Sequence, residues 1–197
     1  MSETPILTTS RLRLRAPQPG DAEAIFGRYA SDPATTCYLA FPRHTSLADT
    51  SAFLAFSQAA WAAWPAGPML IESRETGEIL GSTGLDFETR YRASTGFLLV
   101  PAARGHGFAS EAVSAVASFA EGVGVRRLYA LCHTSNEQST RVLERCGFRR
   151  EGILEKHTVF PNLGDPEPQD VYCYARTSHP ARRPGGPPGP GQPMSPP

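Results

Sequence analysis

Hydrophobic spacing divides the chain into recognisable segments. Arginine and leucine alternate from 11 to 15, the period of a strand with one buried face. Ala22, Ile25, Phe26 and Tyr29 then recur at helical spacing behind Asp21, a candidate cap, and Asp32-Pro33 ends that helix. Ser46 opens a second helix, given bulk by Phe53, Leu54, Ala60, Trp61 and Trp64 and stopped by Pro65-Ala66-Gly67. Met69-Leu70-Ile71 and Ile79-Leu80-Gly81 flank the turn Glu75-Thr76-Gly77 and predict a hairpin. A further strand covers 95–100 and stops at Pro101. From about Phe108 a helix carries Ala109, Ala112, Val113, Val116, Ala120 and Val123 on one face. Residues 128–132 read as a buried strand and 136–145 as the next helix, with Gly147 as its left-handed cap. Two long strands, 149–160 and 170–175, close the pattern, joined by the proline-rich loop PNLGDPEPQ with Asp165 and Glu167.

Composition narrows the function classes. A chain of 197 residues can hold one domain with a full hydrophobic core. Its 19 basic and 19 acidic residues cancel, and no basic stripe argues for a nucleic-acid partner. The opening MSETPILTTS has neither a positive region nor a long apolar run, so no signal peptide is expected. The most membrane-like stretch, 52–66, is broken by Ser57, Gln58 and Pro65 and is too short to span. The expectation is a cytoplasmic protein without a membrane partner. Cys37, Cys132, Cys146 and Cys173 are scattered, and His44, His106, His133, His157 and His179 show no ligand spacing, so no metal is expected. Cys132 and His133 are adjacent and would face opposite sides of a strand, which argues against a nucleophile pair. Residues 180–197 are mostly Pro and Gly with no aromatic, and are expected to be a disordered, passive tail.

The chemistry concentrates in GFLLVPAARGHGFASEA, residues 96–112. Strand, glycine loop and helix start make an anion site, because the first N–H groups of a helix lack internal partners and the dipole adds positive charge there. Gly105 and Gly107 permit positive φ and close approach of a ligand. Arg104 adds a cation with a forked donor pattern suited to phosphate. Three readings compete. A bare strand-to-helix turn does not need Arg beside two glycines. A dinucleotide G-x-G-x-x-G pattern starts at Gly105-His106-Gly107, but Ser110 replaces its third glycine, and no clear βαβ unit or ribose-binding acid accompanies it. The third reading is a pyrophosphate cradle: Arg104-Gly105-His106-Gly107-Phe108-Ala109 fits R/Q-x-x-G-x-G/A.

That motif resembles the acetyl-CoA site of the GNAT N-acetyltransferase superfamily, and the resemblance runs from about Thr9 to Thr177. The following Glu111-Ala112 pair is similar to the branch holding the ribosomal-protein alanine and serine N-terminal acetyltransferases. A second match, Asn136-Glu137-Gln138-Ser139 and then Cys146-Gly147-Phe148, comes one helix and one strand later, in the family's order. The resemblance implies an α/β (α+β) fold: one domain over 1–179, with a mostly antiparallel twisted sheet splayed at its middle strands and flanked by about four helices. It implies acetyl-CoA as cosubstrate, bound by Leu99, Val100, Arg104, Gly105, His106, Gly107, Phe108, Ala109, Asn136 and Ser139.

Pro101 cannot continue a ladder, so pairing between 95–100 and 128–132 is expected to end there. Free backbone groups at Leu99 and Val100 could then pair an extended amide chain, which the resemblance identifies as the pantetheine arm. Asn136, Ser139, Leu143 and Cys146 share one helix face, which in the family looks at the cofactor. Asn136 is also a ready helix cap. Many family members carry a Tyr where this chain has Leu143, a departure. The resemblance moves the proton-donor role to Ser139, either directly or through a water. Cys146 is disfavoured as an acyl carrier, since the helix C-terminus opposes negative charge. Glu72, Asp86, Glu88, His133 and His157 are the candidate bases, and none is fixed by a motif. The acceptor is expected to be a primary amine, either a small molecule or a protein N-terminus, with residues 164–170 shaping its entrance. The protein would act as a monomer or homodimer by direct attack in a ternary complex. The alternatives are a CoA-binding protein without turnover and a nucleotide-dependent enzyme.

Overall fold

The computed structural model describes residues 4–178, so the proline-rich segment 180–197 lies outside the described residues. Eight strands form one sheet: β1 (Leu7–Thr8), β2 (Leu12–Arg15), β3 (Pro68–Ser73), β4 (Ile79–Thr89), β5 (Arg92–Leu99), β6 (Arg127–His133), β7 (Arg149–Thr158) and β8 (Gln169–Thr177). Their spatial order is β1-β2-β3-β4-β5-β6-β8-β7. Every neighbouring pair is antiparallel except β5 and β6. Helices α1 (Ala22–Ile25), α2 (Pro33–Thr36) and α3 (Leu47–Ala63) precede β3, while α4 (Phe108–Gly122) follows β5 and α5 (Glu137–Arg145) follows β6. The α4 helix lies across β1, β2, β4 and β5 with α5 beside it, and α3 packs on β3.

The apolar spacings explain these placements. Leu12 and Leu14 are fully buried while Arg13 between them is exposed, as alternation requires. On α4, Ala112, Val113, Val116, Ala117 and Ala120 are all buried, making the stripe that seats the helix on the sheet. Ser46 precedes α3 as its cap residue, and Gly147, at φ +79°, closes α5 with the Phe148 N–H on the Leu143 carbonyl.

Two local readings are corrected. Asp21 stands at the cap position of α1, but its carboxylate accepts no N–H of that helix and instead closes a capping box on the 3-10 turn Pro19–Asp21. Its carboxylate accepts the Gln18 N–H at 2.7 Å and pairs with both terminal nitrogens of Arg15, at 2.7 and 2.8 Å. The strand arginine competes successfully for the carboxylate because a bidentate ion pair is the stronger bond. After four α-helical residues the chain continues as a π turn, Phe26–Ala30. Asp32-Pro33 ends that segment, but it also starts another: Asp32 accepts the N–H groups of Ala34 and Thr35, and Pro33 takes the first position of α2.

The sheet does split in its middle, but earlier than Pro101. Strands β5 and β6 pair only at Arg92↔Arg127, Ala93↔Leu128 and Ser94↔Tyr129. Beyond that point β6 keeps pairing with β8 as far as His133↔Val171, while β5 stays on β4 as far as Gly81↔Leu99. A wedge therefore opens at Thr95 and Ala130. Gly81 lets β5 stay on β4 along this stretch. A Cβ there would lie 2.1 Å from the Leu98 carbonyl oxygen, so only glycine lets β5 lie this close to β4 on the side away from the wedge.

Candidate active site

The wedge ends in the glycine loop. After a 3-10 turn over Pro101–Ala103, Gly105 and Gly107 both adopt φ of +80°, and Gly107 is the cap residue of α4. The first helical N–H with a partner is that of Glu111, on the Gly107 carbonyl at 3.1 Å. Among the described residues, the N–H groups of 105–110 carry no protein acceptor. They are the orphan donors of a helix start, and the space beside Gly105 is open. Gly105, His106, Gly107, Phe108 and Ala109 thus stand together as a candidate anion seat.

Arg104 behaves differently from the expectation. Its Nε donates to the Leu99 carbonyl at 3.1 Å and its terminal nitrogen to Thr35 Oγ1 at 3.1 Å. The guanidinium is a brace between the loop, β5 and α2, rather than a free fork over the loop. Val100 is also corrected as a backbone partner. Its N–H donates to Leu80 O at 2.9 Å and its carbonyl accepts from Ala103 at 3.0 Å, so neither group faces the wedge. Strand alternation turns the Leu99 N–H the other way, into the gap.

A clamp that sequence reasoning missed holds the loop in place. Glu111, in the first turn of α4, accepts from Thr9 Oγ1 at 2.5 Å, Ser10 Oγ at 3.1 Å, the Arg11 N–H at 3.0 Å and Arg11 Nε at 2.7 Å. Burial pushes this carboxyl up, but the hydrogen bonds from Thr9, Arg11 and Ser10 outweigh it and hold the carboxyl down at about 2. Arg11 also donates to the His106 carbonyl at 3.0 Å and lies 4.5 Å from the Phe108 ring centre. The turn between β1 and β2 is thereby tied to the anion seat. The only trace of this in the sequence is a Glu in the first turn of a helix, which has many ordinary explanations.

On the other wall of the wedge, Asn136 caps α5: its Oδ1 accepts the Ser139 N–H at 3.2 Å, and the side-chain amide N–H groups make no protein bond among the described residues. The Ser139 hydroxyl lies against Cys132, whose thiol is pushed up to about 11 by burial, partly offset by that hydrogen bond. The shared face of α5 is divided between the wedge and the core. Asn136 and Ser139 are partly exposed at its start, but Leu143 and Cys146 are in the core. Leu143 is 1% exposed, and the Cys146 thiol sits against Ser110 and Ser114 of α4. The i, i+3, i+7 spacing carries the same stripe from the wedge into the helix interface.

The candidate bases scatter. Glu72 is bound to Arg15 at 2.6 Å and Arg13 at 3.4 Å, on strands away from the wedge. His157 is exposed on β7, the outer strand. His133 reaches the wide end of the wedge, yet Nδ1 accepts the Ser135 N–H at 3.0 Å and Nε2 therefore donates to Gln169 Oε1 at 2.6 Å. Its ring is also enclosed by Tyr38 and Phe160, and it has no free nitrogen. Asp86 and Glu88 lie on the open face near the point of the wedge. The 164–170 loop is anchored at the wide end, where Gln169 meets His133: Asn162, just before the loop, donates to the carbonyls of Thr36 and Phe41 and accepts from the Arg43 N–H.

A split sheet, an anion seat at the end of its inner strand and a capped helix on the opposite wall form one arrangement. Residues 11–149 match the family model for an acetyltransferase (GNAT) domain. The chain belongs to the GNAT acetyltransferase family. It is 34% identical over 180 residues to an uncharacterised N-acetyltransferase of Bacillus subtilis (strain 168), YoaA, covering 87% of this chain and 97% of that protein. The structure of a GNAT acetyltransferase from Bacillus anthracis superposes with a TM-score of 0.76 at 25% identity, covering 87% of this chain and 98% of that one. The acetyltransferase from Salmonella typhimurium that modifies the N-terminal serine of a 50S ribosomal subunit protein superposes with a TM-score of 0.78 at 22% identity, covering 89% and 100%. The GNAT chain described here is an acetyl-CoA-dependent acyltransferase. Among the described residues, no helix is long and apolar enough to cross a membrane, and no three His, Cys, Asp or Glu side chains gather as a metal site.

Proposed function

We propose that this protein transfers the acetyl group of acetyl-CoA to a primary amine, with a protein N-terminal α-amino group as the favoured acceptor class. The observation that carries the reading is the row of unpartnered N–H groups over 105–110 at the end of a strand that has left its neighbour. The pyrophosphate sits on those groups, over Gly105, His106, Gly107, Phe108 and Ala109, with Arg104 bracing the seat. The pantetheine arm lies in the wedge, pairing with the Leu99 N–H and the free amide of Asn136. The amine attacks the thioester directly in a ternary complex, and the thiolate takes its proton from the Ser139 hydroxyl or a water on it. A covalent acyl-cysteine route is disfavoured by the burial of Cys132 and by the place of Cys146 in the core against α4. The preference for an α-amino group rests on the likeness to the ribosomal-protein enzyme. The protein works as a monomer or homodimer.

Two measurements test this. Calorimetry should show acetyl-CoA binding and no comparable NADH binding. Mass spectrometry should then show a gain of one acetyl group on a hexapeptide with a free N-terminal serine. Binding without transfer to the peptide or to any small amine would identify a CoA-binding protein instead.

A further inference from the structure

The point of the wedge, where β5 and β6 part, carries a side-chain pair that no motif marks. Tyr129 is the last β6 residue paired to β5, opposite Ser94, and paired residues of neighbouring strands share a face. Ala93, Leu128 and Ala130 are buried, so their face meets the helical layer of α4. Tyr129 and Ser94 therefore point to the opposite face. There Asp86 and Gly96 are exposed and Leu131 is 38% exposed, so that face is open to an incoming molecule. The Tyr129 hydroxyl donates to a carboxylate oxygen of Glu88, reaching across from β4, and the other oxygen of Glu88 pairs with Arg92 at 2.5 Å. Burial and the neighbouring carboxylate push the phenol up to about 12, so it is neutral and proton-bearing at working pH.

The distance from the anion seat matches this position. Between phosphate and sulfur the pantetheine arm has the backbone length of about four extended residues, roughly 14 Å. Counted back along β5 from Leu99, that reaches Thr95, the first residue beyond the Ser94↔Tyr129 pair. Of the other candidate bases, Glu72 is held by two arginines on strands away from the wedge, His133 by Ser135 and Gln169, and His157 lies on β7; Asp86 shares the open face, but Glu88 is the carboxylate bonded to Tyr129.

We propose that Tyr129 is the catalytic group that takes the amine proton and that Glu88 receives it through Tyr129. This rests on the acetyl-CoA reading of the wedge. In the step, the amine lone pair forms the N–C bond at the thioester carbonyl and the C–S bond breaks with its pair on sulfur. The amine proton moves to the Tyr129 oxygen as the phenol proton moves to Glu88. Glu88 returns a proton to solvent, and a solvent water supplies one to sulfur through the Ser139 hydroxyl, which ends protonated as it began. Glu88 acts as proton acceptor and as the group that positions the phenol.

The test compares Tyr129→Phe and Glu88→Gln with wild type, using acetyl-CoA with the serine hexapeptide and, separately, with hydroxylamine. Hydroxylamine is already unprotonated at neutral pH and depends least on a base. Both variants should lose about 100-fold in kcat toward the peptide, the usual contribution of one positioned base. The KM for acetyl-CoA should stay within twofold, and the loss toward hydroxylamine should be at least tenfold smaller than toward the peptide. Glu88→Asp should recover part of the peptide rate. Equal losses toward both nucleophiles, or a matching rise in the KM for acetyl-CoA, would assign the pair a structural role and overturn the proposal. Peptide turnover within threefold of wild type in both variants would overturn it too. A wild-type enzyme that acetylates neither nucleophile would instead refute the acceptor reading of the preceding subsection.

Discussion

Glu111→Gln tests whether the clamp between the first strands and the anion seat is energetically real. The Glu111 side chain is 16% exposed and accepts from Thr9, Ser10 and both the backbone and side chain of Arg11. Its carboxyl is held at about 2 against an ordinary value of 4.5. Ideal linkage converts that difference to roughly 3 kcal/mol at neutral pH. The glutamine amide keeps an acceptor oxygen and the site has a wet edge, so the expected loss is about 2 kcal/mol. For a domain of this size that lowers Tm by roughly 4–8 °C. The sign with pH follows from the lowered value. The stabilisation is complete above the unfolded value near 4.5 and drains away as pH falls toward 2. At pH 3.5 roughly two fifths of it should be gone. Urea unfolding of wild type and variant at pH 7 and pH 3.5 measures this as the gap between midpoints. A gap that is equal at both pH values would show that the charge of Glu111 is not what stabilises the turn. A gap at pH 7 below about 0.5 kcal/mol would remove the clamp altogether. Release of Arg11 from the His106 carbonyl should also weaken acetyl-CoA binding, and calorimetry at pH 7 reads that directly.

Gly107→Glu should abolish acetyl-CoA binding, because a side chain is strained at φ +80° and adds negative charge to the anion seat; retained micromolar affinity would contradict the seat. Ser139→Ala should lower kcat more than it weakens acetyl-CoA binding, and unchanged turnover with chemistry rate-limiting would take Ser139 out of the mechanism. Leu143→Ala should destabilise by about 2–5 kcal/mol in urea unfolding, as expected for a leucine that is 1% exposed, and a loss under 1 kcal/mol would mean that the α5 stripe is not core.

Much of the fold could be read directly from the chain. Most long elements could be placed by periodicity, although the pattern marks β4 only over 79–81 while the strand runs on to Thr89, and the caps at Ser46 and Gly147 stand where expected. What failed was local competition. Asp21 has a cap residue's chemistry, but Arg15 takes its carboxylate. Asp32-Pro33 works equally as a stop and a start, since Asp accepts helix N–H groups and Pro suits a first turn. Leu143 and Ser139 lie on one helical stripe, and nothing in their spacing tells where the wedge ends and the core begins.

The sequence alone determined what depends on near neighbours along the chain: strand and helix periods, the glycine loop with its orphaned N–H groups, and thus the family. Such properties are set by φ and ψ preferences and by side chains a few positions apart. Tertiary structure alone decided which groups stay free. It turned Arg104 into a brace, enclosed His133, occupied both backbone groups of Val100, and joined Arg11 to Glu111 and Tyr129 to Glu88 across the sheet. A hydrogen bond between residues a hundred positions apart leaves no periodic signal. Whether a polar group is free for chemistry depends on its partners in space, and those exist only once the sheet has assembled.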